Sequence, residues 1–326
     1  MASPAPFAEI WRGPFLESVH AGHAVVCDDS GQILHAWGDP GLTVLPRSSS
    51  KMLQALPLIN SGAADAFGLD TEQLALACAS HSGAAIHTTR VTDWLETLKL
   101  AEPDLRCGPQ VPDDDRARTA LIRAHDEPCQ IHNNCSGKHA GFLTLAKHLD
   151  AGPEYIDSAH PVQQAALEAF EEATDETSPG FGIDGCSAPN FACTLTGMAR
   201  AMARFAAASE GSAEARLHEA MRLHPELVAG EGRACTELMR ASGGKVALKT
   251  GAEGFYIAIL PELKLGVALK AACGTTRASE CAIAAILVKL GALDAAHPAV
   301  RARMSAPILN RRGIPCGVIK ASGALA

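Results

Sequence analysis

A serine and a lysine three residues apart make one of the simplest proton-transfer pairs available to a protein, and Arg47-Ser48-Ser49-Ser50-Lys51 contains one. At a helix start Ser48 and Lys51 fall on the same face. A serine hydroxyl is a poor nucleophile near neutral pH until a base takes its proton, and a neutral lysine amine within hydrogen-bond reach is such a base. For any lysine to be neutral near pH 7, its pKa must drop from about 10.4 by roughly 3 units, or about 4 kcal/mol. Burial and a second positive charge nearby can produce a shift of that size. Late in the chain, Lys249-Thr250-Gly251 closes a strand-like run. A lysine there supplies the second charge, and the glycine lets a substrate approach the backbone. The same residues also suit a plain capped helix and a plain turn, so the chemistry needs support from elsewhere in the chain.

Four further polar clusters offer that support. Cys78-Ala79-Ser80-His81-Ser82-Gly83 gathers two hydroxyls and an imidazole behind an apolar helix, as a pocket loop or an ordinary turn would. Asn133-Asn134-Cys135-Ser136-Gly137-Lys138-His139 places Lys138 and His139 in the first turn of a helix. Positive side chains there oppose the helix macrodipole, a local rule broken in a way that points to function. Gly182 to Asn190 is too rich in Gly, Pro and Asn to read as a regular element, and it carries Asp184 and Cys186. Cys135 and Cys186 thus lie in polar, glycine-containing loops, where thiolates suit a soft divalent ion such as zinc. No Cys-x-x-Cys or His-x-x-x-His spacing supports a metal independently. Finally, Glu226 to Arg233 sets Glu231 and Arg233 among glycines, where they could clamp a zwitterionic amino acid or merely form an exposed capping loop.

The elements that must position these residues follow from composition and periodicity. The chain has 326 residues, 47% hydrophobic and 20% charged, which excludes disorder and fibrous repeats. A net charge of −8 without a basic stripe argues against nucleic acid. No run of about 18 apolar residues could span a membrane, and Met1 to Pro6 does not resemble a signal peptide. Eleven cysteines, mostly in apolar segments, read as reduced buried thiols, so a soluble cytoplasmic protein is expected. His23–Asp28 and Gln32–Trp37 read as a β-hairpin. Lys245–Lys249, Gly254–Leu260 and Lys264–Lys270 read as three more strands with short antiparallel connections. Helical spacing covers Ser49–Ile59, Thr71–Ala79, Thr88–Leu100, Gly137–Leu149, Pro161–Ala173, Thr196–Ala208, Ala213–Leu223, Glu231–Ala241 and Arg277–Leu290. The expectation is a single α/β (α+β type) domain over 1–326. Its central antiparallel sheet has about five strands, from 15–40 and 244–272, flanked by helices including 277–291, with a mainly helical insertion over 62–243. Small-residue helices suit a homodimer face.

Taken together, these segments resemble the asparaginase II family, the rhizobial-type (class 3) L-asparaginases. The resemblance rests on Arg47-Ser48 with Lys51, Cys78-Ala79-Ser80-His81-Ser82, Leu105-Arg106-Cys107-Gly108, Asn134-Cys135-Ser136-Gly137-Lys138-His139, Asp184-Gly185-Cys186 and Val228-Ala229-Gly230-Glu231-Gly232-Arg233. It implies a fold like that of serine β-lactamases and glutaminases, consistent with their pairing of Ser-x-x-Lys with Lys-Thr-Gly. It also implies hydrolysis of L-asparagine to L-aspartate and ammonia. Two serine–lysine pairs carry over, Ser48 with Lys51 and Ser80 with Lys249. So does a zinc ion on Cys135, Lys138 and Cys186, with Asp184 touching a metal-bound water. Ser48 is the expected nucleophile, with Ser80 as the alternative. Arg47 and Arg233 are expected to recognise the substrate carboxylate, and His139, Asp184 and Glu231 to complete the substrate site. A glutaminase, a β-lactam-type serine acylase and a non-catalytic zinc protein are the competing readings.

Overall fold

The computed structural model describes residues 2–325. The chain gathers into two compact units. One takes the stretch up to Ser49, Cys193–Ala207 and everything from Glu237 onward; the other takes Ser50–Ala192 and Ala208–Thr236.

The first unit is built on an eight-stranded antiparallel sheet. Phe15–Asp28 and Ile33–Trp37 form the expected hairpin, and Ala247–Thr250, Phe255–Leu260 and Leu265–Ala271 are the three late strands. Leu265–Ala271 pairs with Phe15–Asp28 and so joins the two ends of the sequence in one sheet. Phe255–Leu260 is buried at every position, which requires cover on both faces. Helices Leu195–Ala207 and Thr276–Lys289 pack against these central strands. Gly266 permits the first of these contacts, because a side chain there would run into the backbone at Ala199 and Ala203. Helix Leu195–Ala207 was expected in the helical insertion, yet it serves the sheet.

The expected count of about five strands is too low. Ala5–Arg12, Pro307–Leu309 and Pro315–Ala321 extend the sheet beyond the hairpin. Their alternation is weak, since Pro315–Ala321 is largely exposed or half-buried, so periodicity gave little signal there.

The second unit is mainly helical. Lys51–Asn60 is its central helix, buried at every position from Lys51 to Ile59. It packs against Ser136–His148, Pro161–Thr174 and Ala213–Leu223. Thr71–Ala77 starts from a capping box in which the Asp70 carboxylate accepts from Glu72 and Gln73 N–H, while Gln73 Oε1 accepts from Asp70 N–H. Asp115–Ala124 is a helix capped by Asp114; it buries no residue, which is why no apolar stripe announces it. The Gly182–Asn190 stretch is regular after all. Phe181–Ile183 and Pro189–Phe191 pair as a β-hairpin, with Asp184 to Ala188 as its loop. No described helix is long and apolar enough to cross a membrane.

Candidate active site and thiol–amine centre

The loop after helix Thr71–Ala77 is the hub of the second unit. Ser80 N–H donates to the Val228 carbonyl at 2.9 Å, and His81 N–H donates to the Asn134 carbonyl at 3.1 Å. Three stretches singled out by sequence are thereby tied together by backbone bonds, which hold geometry independently of side-chain motion. Gly230 is needed in this arrangement, because a Cβ there would lie 2.5 Å from Ser82 Oγ.

Within this hub Lys51, 1% exposed, is 2.9 Å from Ser80 Oγ and also donates to the Ala79 carbonyl. A buried lysine bonded to a serine hydroxyl is the arrangement that serine–lysine chemistry requires. The neighbouring His81 is committed elsewhere. Its Nδ1 accepts from Gly83 N–H at 3.2 Å, leaving Nε2–H to donate to Ser136 Oγ at 2.9 Å, and Ser136 donates in turn to the Ile131 carbonyl. Burial, then the His87 ring stacked 4.8 Å away, keeps the His81 pKa well below the usual range. His81 is a neutral strut between the Ser80 loop and the helix that carries Lys138.

That helix, Ser136–His148, begins against Thr71–Ala77 so closely that a Cβ on Gly137 would meet the Leu76 carbonyl at 2.5 Å. Its first turn carries Lys138, whose Nζ is 3.1 Å from Cys186 Sγ at the tip of the 181–191 hairpin. Gln54 fastens the hairpin by donating to the Pro189 carbonyl. The Cys135 thiol reaches Asn134 Oδ1 at 3.0 Å. The Cys135 side chain, then the Lys138 charge, holds Cys186 well below the usual thiol range, while Cys186 and burial raise Cys135. Burial works against a charged Lys138, but the Cys186 and Cys135 sulfurs and Asp184 outweigh it and push the amine upward. The first-turn amine therefore has a buried sulfur as its partner, which offsets its opposition to the macrodipole.

Two buried sulfurs and one amine nitrogen thus converge, a donor set that fits a soft divalent ion. Among the described residues no three His, Cys, Asp or Glu side chains form a metal-holding group, so any such site depends on the lysine. His139 is fully buried, its Nδ1 2.9 Å from Tyr155 Oη, and burial lowers its pKa. Tyr155 is a site neighbour that sequence reasoning missed. A tyrosine in the polar stretch Gly152-Pro153-Glu154-Tyr155, in a chain with two tyrosines, was the available signal.

Arg233 forms a partly exposed ion pair with Asp113 at 3.2 Å, and Glu231 is exposed. In the first unit, Arg47 opens the 3₁₀ turn Arg47–Ser50 with a left-handed φ of 52°, an uncommon backbone for a non-glycine residue. This turn, which contains Ser48, rests on the Lys249 strand: Ser49 Oγ donates to the Lys249 carbonyl at 3.0 Å. A Cβ on Gly251 would lie 2.6 Å from the Pro46 carbonyl. Lys249 is 1% exposed and donates to the Thr250 carbonyl at 2.7 Å.

The sequence model of L-asparaginase II matches residues 8–321, nearly the entire chain. The chain belongs to the L-asparaginase II family. As a member of that family it is an amidohydrolase acting on a small-molecule substrate. No curated protein matches this L-asparaginase II family sequence significantly. Among solved structures, the chain is similar to a β-lactamase candidate from Bacteroides dorei, at 13% identity over 77% of this chain and 84% of that one, with a TM-score of 0.42. It is also similar to a β-lactamase from Mycobacterium bovis, at 15% identity over 82% and 94%, with a TM-score of 0.44. A third similar structure is Mglu in its native form, at 12% identity over 85% and 66%, with a TM-score of 0.47.

Proposed function

We propose that this family member is an L-asparaginase, hydrolysing L-asparagine to L-aspartate and ammonia through a serine–lysine pair. The observation that carries the reading is the buried Lys51 amine 2.9 Å from Ser80 Oγ. In the scheme, the serine oxygen adds to the side-chain amide carbon as its proton passes to the Lys51 amine. Backbone N–H groups stabilise the tetrahedral oxyanion. Lys51 returns the proton to the departing nitrogen, the C–N bond breaks, and ammonia leaves a β-aspartyl ester on serine. The same amine then deprotonates water, which adds to the ester and releases aspartate with the serine restored.

Two hydroxyls are candidates for acylation. Ser80 is favoured by its distance to Lys51. Ser48 is favoured by its position three residues before Lys51, in a 3₁₀ turn that runs directly into the helix. Lys249 is the proposed second lysine, Arg47 and Arg233 the proposed carboxylate partners, and Glu231 a proposed partner for the α-ammonium. Zinc is proposed on Cys135, Lys138 and Cys186, where it would orient the substrate's α-amino or α-carboxylate group, with Asp184 and His139 beside it.

Quenching the enzyme with asparagine at saturating concentration and mapping the ester by mass spectrometry tests the scheme. An adduct on Ser80 or Ser48 is expected, and an adduct on neither removes the covalent mechanism. Lys51→Met should lower kcat by about 10²–10⁴-fold with the fold intact, as loss of a general base does. Faster ammonia release from glutamine, or β-lactam turnover with none from asparagine, would reassign the substrate.

A further inference from the structure

His139 is the one imidazole of the thiol–amine centre, and its two nitrogens are treated differently by the fold. Nδ1 lies 2.9 Å from Tyr155 Oη, and that oxygen already accepts the Arg106 backbone N–H at 2.8 Å. The phenol is fully buried, so its proton must find an acceptor inside the protein. Among the described residues, the hydroxyl's hydrogen-bond partners are the Arg106 N–H and His139 Nδ1. The first is a donor, so the proton goes to Nδ1. The opposite assignment, with Nδ1–H donating to the phenol, would strand the phenol proton without an acceptor. Phe142 and Tyr155 pack edge-on against the imidazole, at centroid distances of 5.8 and 5.4 Å, so the ring is boxed against rotation. The other nitrogen, Nε2, is buried and makes no hydrogen bond of ordinary length among the described residues, and the ring is close enough to the Cys186 sulfur to interact with it.

We propose that Tyr155 is a positioning residue that fixes His139 as its Nε2–H tautomer, so that this imidazole donates toward the Cys186 sulfur and cannot act as a metal ligand. A neutral imidazole holds one proton, and an Nε2 that carries it has no lone pair to give. With Nε2 protonated, His139 leaves the proposed three-ligand set unextended, and three ligands leave a position for substrate or water. This consequence rests on the proposed ligand set. The tautomer itself does not, and it is measured on the metal-free chain.

The test is nitrogen-15 NMR of the full chain with labelled histidine, His139 being assigned by the signal that His139→Gln removes. In metal-free wild type, His139 should show a protonated Nε2 and an unprotonated Nδ1, and should keep that pattern when Zn²⁺ is added. In Tyr155→Phe, the single tautomer should give way to a mixture or to the Nδ1–H form. A protonated Nδ1 in wild type overturns the proposal, whatever the substrate proves to be. So does a metal-bound Nε2 in wild type, or an unchanged Nε2–H pattern in Tyr155→Phe. If Tyr155→Phe does not fold, the wild-type spectra with and without Zn²⁺ still decide the proposal.

Discussion

Lys138 Nζ donates to Cys186 Sγ at 3.1 Å inside the protein, and each favours the charged form of the other there. Removing one partner leaves the other buried and uncompensated, which is worse than losing a surface contact. Serine in place of Cys186 keeps a small polar group but gives up the soft sulfur donor. For Cys186→Ser, the proposed zinc site predicts a raised KM for asparagine with appreciable kcat, and less zinc than wild type by metal analysis. Complete inactivity in a folded variant would instead place the ion in the chemical step. Both thiols were legible in the sequence because they stood in polar, glycine-containing loops rather than apolar stripes. Tyr155 was not legible, because a buried tyrosine in a turn carries no spacing signal until the helix holding His139 is laid beside it.

Backbone contacts position these side chains at the scale of elements. Gly137, in the first turn of Ser136–His148, lies against the Leu76 carbonyl, and the next residue is Lys138. Ordinarily Gly→Ala in a helix is favourable by about 0.4–1 kcal/mol. Here the new methyl would sit 2.5 Å from a backbone oxygen that cannot rotate away, so the sign reverses. Gly137→Ala should destabilise the fold by about 1–3 kcal/mol in urea titration and displace Lys138 and His139, which move with the helix start. Unchanged stability would mean that the two helices do not press together there. Helix Ser136–His148 itself was readable from periodicity, but its neighbour Thr71–Ala77 was not assigned to it by anything in the sequence. The hairpin bearing Cys186 was hidden because Gly, Pro and Asn obscure the two-residue period, and pairing between 181–183 and 189–191 restores what local propensity lacks.

Over the whole molecule, buried neutral histidines set the acid side of stability. His218 is 6% exposed in helix Ala213–Leu223, with Nδ1 unpartnered among the described residues. Burial, then the Arg222 charge one turn on, lowers its pKa to about 4. Above about pH 6.5 both folded and unfolded chains hold this imidazole neutral. Between there and about pH 4 the unfolded chain takes a proton that the folded chain refuses, so stability falls as pH falls across that window and levels off below it. His81, His87 and His139 are shifted in the same direction. The urea midpoint should therefore be lower at pH 5 than at pH 7, and His218→Gln should flatten part of that slope; equal midpoints at the two pH values would refute this.

The amino-acid order alone determined the local elements and the chemical alphabet of the site: the early hairpin, the three late strands, most helices, the serines, lysines and thiols, and the family they resemble. Those follow from short-range periodicity and from residue types that have few other uses. Tertiary structure decided the rest. It gave Lys51 to Ser80 and Lys138 to Cys186, made His81 a strut and gave the sheet three more strands. These outcomes depend on which distant segments bury one another, and a pairing between segments leaves no trace in either segment read singly.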